Sequence, residues 1–231
     1  MGELLRNRWD LLLLLAMQGV FLAAPHLDLT AAAWFYDPDT GFFLRSNPLV
    51  RFVYDVFADL HLFILIALIW LYLASWTWRR RAEVWLRRRL LFLFLVLAVG
   101  PGLVVNGILK AESGRARPHQ VEQFGGEKVF TPVFTPAEQC ENNCSFVSGH
   151  ASMGFYLIAL AWVTCRRSWF VVGVVTGAVV GLGRMVQGAH FLSDVVFAFW
   201  AVYGVCVLLA WWLLAQRSIR DCRTAEAVGT Q

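Results

Sequence analysis

Three short groups of polar residues interrupt an otherwise apolar chain: Lys110 with Arg117-Pro118, then Ser148-Gly149-His150, then Arg184 with His190 and Asp194. These are the residue types phosphoryl transfer requires. Cations must be fixed around the non-bridging oxygens, one imidazole must attack phosphorus, and a second must protonate the leaving oxygen. A guanidinium offers paired donors that match phosphate oxygens, and lysine acts as a mobile point charge. Ser148 suits a helix N-cap, where free N–H groups favour an anion, and Gly149 lets the backbone approach a ligand closely. His190 and Asp194 are four residues apart, hence on one helical face. A carboxylate holding one ring nitrogen fixes the tautomer and leaves the other nitrogen free to attack. Each group also has a plainer reading, as snorkelling interfacial cations, an ordinary helix cap or a structural ion pair. The third group is the most specific, because ionisable residues at membrane depth are expensive and mark function. Arg115 reads as a spare cation that lines the approach.

The elements that carry these residues follow from composition. Of 231 residues, 58% are hydrophobic, with 11 Trp and 18 Phe, and they fall in long runs. Runs of about 18 or more apolar residues span membranes. Six runs fit, at about 10–24, 60–78, 90–109, 151–165, 169–186 and 191–215. The expected fold is therefore all-α: a polytopic membrane protein whose six transmembrane helices form a bundle, with an active-site loop on the periplasmic side. It is a single integral-membrane domain over residues 1–231. Arginines gather at Arg6 and Arg8, from Arg79 to Arg89, at Arg166 and Arg167, and at Arg217, Arg220 and Arg223. All fall on one side once six spans are threaded. The positive-inside rule makes that side the cytoplasm, so both termini are expected there and the three polar groups face outward. The net charge of +4 is mostly this topology signal and gives no reason to expect a nucleic-acid partner. The N-terminus, ending in Leu22-Ala23-Ala24, has the look of a signal peptide. Its apolar stretch exceeds a usual h-region, so retention as a first span is expected.

Residues 25–59 mix aromatics with acids and are expected to lie along the interface, guiding a headgroup or simply covering the surface. Residues 110–148, punctuated by Gly125-Gly126, Thr131-Pro132 and Thr135-Pro136, predict an ordered, non-helical and functional loop. In an oxidising compartment Cys140 and Cys144 would close a small disulfide ring. Metal ligation is the poorer reading, since no second pair of soft ligands lies nearby.

In this order and at these spacings the three groups resemble the signature of the type-2 phosphatidic acid phosphatase superfamily. The likeness runs from Lys110 to Asp194 by motif and over the whole chain by span layout. It implies a six-helix membrane phosphatase that needs no metal or cofactor and works through a phosphohistidine. His190 would be the nucleophile, Asp194 its orienting partner, and His150 the acid for the leaving group and then the base for water. Lys110, Arg117, Ser148, Gly149 and Arg184 would cradle the phosphate. The chain departs from the common pattern at Val147, where Pro is frequent, and at Gly183, where Ser is frequent; neither change removes a reacting group. The loop from Cys140 to His150, with Phe124-Gly125-Gly126 upstream, looks most like the bacterial lipid A phosphatase branch, which implies a bacterial inner membrane. Undecaprenyl pyrophosphate and phosphatidylglycerol phosphate are rival substrates. A lipid phosphotransferase would use the same residues, and a non-enzymatic lipid-binding or transport protein would not need the His190–Asp194 pair. The partners expected are the lipid phosphate substrate and membrane lipids, with no obligate protein partner.

Overall fold

The computed structural model describes residues 9–77, 82–216 and 219. The arginines at 6, 8, 79–81, 217, 220 and 223, with Cys222, lie outside the described residues. Helix α1, Trp9–Ala23, meets α2, His26–Ala33, at a bend of 83°. A two-residue hairpin follows, β1 Tyr36–Asp37 and β2 Gly41–Phe42, with Tyr36 opposite Phe42. Helix α3 is Pro48–Ala74. Helix α4, Ala82–Leu97, runs on through π-helical turns over Ala98–Leu109 and ends at Glu112. Pro101 lies in that widened stretch and lacks the N–H an α-helical turn would use. The carbonyl of Pro101 accepts instead from Asn106 Nδ2 at 2.7 Å. Beyond the long loop come α5, Gly149–Phe155, a 3₁₀ turn at Tyr156–Ile158, and α6, Ala159–Thr164. The chain closes with α7, Arg167–Val186, and α8, Leu192–Leu214.

All six expected apolar segments are helical. Four helices are long and apolar enough to cross a membrane: Pro48–Ala74, Val84–Glu112, Arg167–Val186 and Leu192–Leu214. The bent pair α1–α2 makes a fifth if it counts as one span. The segment from Gly149 to Thr164 comes as three short pieces. Helix α3 begins at Pro48, well before residue 60, where the second span was expected. Asn47 caps it, accepting from Leu49 N at 2.9 Å, and Pro48 opens it without an N–H to satisfy. A third of the expected interfacial segment is thereby helix. Along α3 only Leu68 is buried, while Leu62, Phe63, Ile66, Trp70 and Leu73 are exposed. Water does not tolerate an apolar face of that size, whereas lipid tails match it.

The loop between α4 and α5 is ordered by its own backbone. Gln139 N donates to Gly114 O and Ser145 N to Arg115 O, each at 2.9 Å, and these bonds draw its two ends together. Cys140 and Cys144 are joined, with Cα atoms 5.6 Å apart. A small outer core of Tyr36, Phe42 and Phe124, with ring centroids 5.1 to 5.5 Å apart, seats the hairpin on this loop.

The inner core depends on close helix approach. Gly173, Gly177 and Gly181 lie four residues apart on α7, and each faces a neighbour that leaves no room for a side chain. A Cβ at Gly177 would sit 2.1 Å from the Phe155 ring, and one at Gly181 would sit 2.3 Å from Val195 Cγ1. Small residues at this spacing let backbones pack where lipid provides no hydrophobic drive. The contact holds α5 and α8, which both enter the site, against α7. Gly177→Leu is expected to destabilise the fold by about 1–3 kcal/mol or more through overpacking. A fall in thermal midpoint in detergent, absent from the uncrowded Gly204→Ala control, checks this.

Candidate active site

Helix α7 ends at Val186, and Gly188 two residues on, with a φ of +66°, turns the chain; a Cβ there would meet the Phe42 ring at 2.4 Å. The turn delivers His190 just ahead of α8, where the Asp194 carboxylate accepts from Phe191 N at 2.8 Å and closes the helix start. His190 is buried. Its Nδ1 lies 2.8 Å from the Ser145 carbonyl oxygen and 3.5 Å from Asp194 Oδ2. A carbonyl can only accept, so Nδ1 carries the proton and Nε2 keeps its lone pair. The shorter tether is thus a backbone oxygen from the loop, which sequence reasoning missed. Asp194 stands behind it and also accepts from Ser145 Oγ at 2.5 Å.

Asp194 is itself held by Arg115, whose role here is central and not that of a spare cation on the approach. Arg115 is 2% exposed. Its two terminal nitrogens donate to Asp194 Oδ1 and to Asp28 Oδ2, both at 2.7 Å, and one also donates to Ser193 Oγ at 2.9 Å. Its Nε donates to Thr131 O at 2.8 Å, and its guanidinium lies 4.4 Å from the centre of the Phe191 ring. Asp28, from α2, accepts in addition from Ser193 N at 2.8 Å and Ser193 Oγ at 2.6 Å. One buried guanidinium therefore ties α2, the loop and the start of α8 to the residue behind His190. Asp28 stood in the sequence as one acid of an interfacial segment, with no signal linking it to Arg115.

The second group sits as its residue types suggest. Ser148 is extended and caps α5, accepting from Ala151 N at 3.4 Å, and its own N–H donates to Asp194 O at 3.0 Å. Gly149 lies against α4, where a Cβ would be 2.8 Å from Asn106 Oδ1. His150 stacks on Tyr54 of α3, with centroids 4.6 Å apart. The Arg184 guanidinium also lies over the Tyr54 ring, 4.5 Å from its centre. Arg184 also donates to Gln187 Oε1. Two buried polar atoms here, His150 Nε2 and Arg184 Nε, have no hydrogen-bond partner among the described residues, as expected where a ligand supplies it. Arg117 donates to Asn143 O at 2.8 Å.

Lys110, His150, Arg184 and His190 lie close enough for their charges to interact, and Arg117 acts on Lys110, His150 and Arg184. The structure therefore brings all three sequence groups together. Sequence reasoning missed Tyr54, whose ring contacts both His150 and Arg184. Two cavities border these residues. One, of about 530 Å³, is lined mostly by apolar residues such as Phe57, Leu65 and Pro101, together with Lys110, Gly149 and His150. The other, of about 510 Å³, is polar and includes Tyr54, Arg117 and Arg184. Among the described residues, no three His, Cys, Asp or Glu side chains gather as a metal site.

A family model described as the PAP2 superfamily matches residues 89–220, more than half of the chain. The chain belongs to the PAP2 superfamily. Among curated proteins it is 38% identical over 199 residues, covering 84% of this chain and 87% of the relative, to a Lipid A 4'-phosphatase of Francisella tularensis subsp. novicida. Proteins of the same name from Rhizobium leguminosarum and Rhizobium etli are 40% and 38% identical over 43% of this chain, covering 44% and 40% of their own lengths. No solved structure matches. In this PAP2 chain Asp28 and Tyr54 precede the matched region, whereas every residue of the three groups lies within it.

Burial sets the ionisation of the groups that flank the spans. It lowers the pKa of Arg117 and of His119. In His190 burial outweighs the opposing pull of Asp194 and brings the pKa down to about 4. The folded protein thus keeps this imidazole neutral through a range where the unfolded chain, with an ordinary pKa of about 6.5, takes up a proton. Stability should fall as pH drops from about 6.5 towards 4, because the unfolded state binds the extra proton. Thermal midpoints measured across that range check this, and the decline should shrink in His190→Asn. Arg115→Ala leaves two buried carboxylates without their cation, so it should cost about 3–5 kcal/mol. Its thermal midpoint should fall well below that of Arg45→Ala, which alters an exposed side chain.

Proposed function

We propose that this PAP2 protein removes a phosphate monoester from lipid A by way of a phosphohistidine on His190. The observation that carries the reading is the tethered imidazole: Nδ1 is bound to the Ser145 carbonyl, so Nε2 faces the reaction with a lone pair. The extent of likeness to the Francisella Lipid A 4'-phosphatase supports lipid A over a polyprenyl or glycerol lipid.

Nε2 of His190 attacks phosphorus in line with the ester oxygen. As the phosphorus–oxygen bond breaks, His150 passes a proton to the leaving sugar oxygen and an N–P bond remains. Water then attacks phosphorus, His150 takes its proton, the N–P bond breaks, and inorganic phosphate departs. Lys110, Arg117, Arg184 and the backbone N–H groups after Ser148 hold the equatorial oxygens, where the loose transition state concentrates charge. The incoming phosphoryl group offsets the surrounding positive charge, which is what lets His150 hold the proton it delivers.

Six crossings, with the site facing the periplasm and both termini in the cytoplasm of a bacterial inner membrane, complete the reading as one domain over residues 1–231. Arg87 to Arg89 and Arg166-Arg167 support it, since both groups sit at the helix ends remote in sequence from the three polar groups. Phosphate release from lipid A by the purified chain, in detergent with a chelator present, tests the proposal. His190→Ala should abolish release, and Lys110→Ala or Arg184→Ala should lower it roughly 100- to 1000-fold. Undiminished release by His190→Ala would remove the nucleophile and with it the mechanism.

A further inference from the structure

The polar cavity holds more positive charge than one phosphoryl group requires. Arg117 and Arg184 line it, and with Lys110 they already supply three cations to the reacting phosphate. Arg45 and Arg51 line it as well. They come from the turn after β2 and the first turn of α3, ahead of the family match at residues 89–220. One carboxylate, Asp55, lines the cavity against these four guanidiniums. His119 adds no charge: its Nδ1 donates to Gly188 O at 2.8 Å, which leaves Nε2 to accept from a hydroxyl. The 510 Å³ volume falls in the range that accommodates a ligand of sugar-headgroup size. An arginine pair beside a phosphate site, with one carboxylate set against four guanidiniums in one continuous cavity, matches a ligand with a second anionic group.

We propose that Arg45 and Arg51 form a second anion subsite, which takes a second phosphate on the same glycolipid headgroup and so favours bisphosphorylated over monophosphorylated substrate. This rests on the reading of the site as a lipid A phosphatase. Arg117 and Arg184 orient the phosphate that is cut, while Arg45 and Arg51 hold the one that is kept. The sugar between them occupies the cavity that Tyr54 helps to line, with His119 available to a ring hydroxyl. The subsite thus selects by affinity and takes no part in the transfer step.

Binding tests it independently of turnover. The full chain carrying His190→Ala, with and without Arg45→Gln and Arg51→Gln, is titrated in neutral detergent with bisphosphorylated lipid A and with its monophosphorylated counterpart. The parent should prefer the bisphosphorylated lipid by about tenfold or more, as charge-assisted hydrogen bonds imply. The double variant should lose that preference and bind the monophosphorylated lipid unchanged. Both arginines are exposed, so the thermal midpoint should not move. Equal weakening towards both lipids would assign the pair to general attraction for an anionic bilayer, and absence of any initial preference would exclude the subsite; either overturns the proposal. A preference in a chain whose unaltered form releases no phosphate would instead overturn the proposed function and leave the subsite standing.

Discussion

The architecture turns on one desolvated guanidinium. Arg115 meets two carboxylates, a hydroxyl and a backbone carbonyl at hydrogen-bond distance while almost wholly shielded from solvent. Burying three charged side chains is costly, and their mutual attraction offsets this only when geometry and further hydrogen bonds are complete. That condition is met here. Ser193 satisfies Asp28 twice, while Ser145 and Phe191 satisfy Asp194. A network of this kind is poor evidence for added stability, but it specifies a single arrangement. Helix α2, the loop and the last helix can meet in one register, and the His190 ring is fixed as a result.

Much of this was legible in the sequence. The apolar runs gave the helices because a helix satisfies its backbone groups within its own segment inside lipid, and runs this long and continuously apolar lack the alternation of a barrel strand. The three polar groups converged because each lies at the end of such a run. Ser148 behaved as a cap, and Cys140 and Cys144 closed their ring. Other features depended on contacts that no local pattern encodes. Asp28 and Arg115 are 87 residues apart, and nothing near either one identifies its partner. Ser145 acts through its carbonyl, a group every residue has, so its type carried no information. The early start of α3 was readable from Asn47-Pro48, but hydropathy placed the crossing where the apolar run is densest.

The fourth apolar segment shows packing acting on a helix that composition predicts. Residues 151–165 were expected as one span, and the chain is helical from 149 to 164, tightening to a 3₁₀ turn at Tyr156–Ile158 where it packs on the glycine face of α7. The Gly173, Gly177 and Gly181 spacing was visible in the sequence, and its meaning appears only when Phe155 and Val195 occupy the space left by the absent side chains. Small residues thereby set the depth at which Ser148 and His150 enter the site.

Tyr54 links this chemistry to its surroundings. Its ring contacts both His150 and Arg184, and it belongs to α3, along which Leu68 alone is buried. A helix with so much apolar surface outward answers a change in hydrocarbon thickness by tilting, within what its packing against neighbours allows. The aromatic ring that touches both candidate residues is therefore carried on an element whose outer side meets lipid tails.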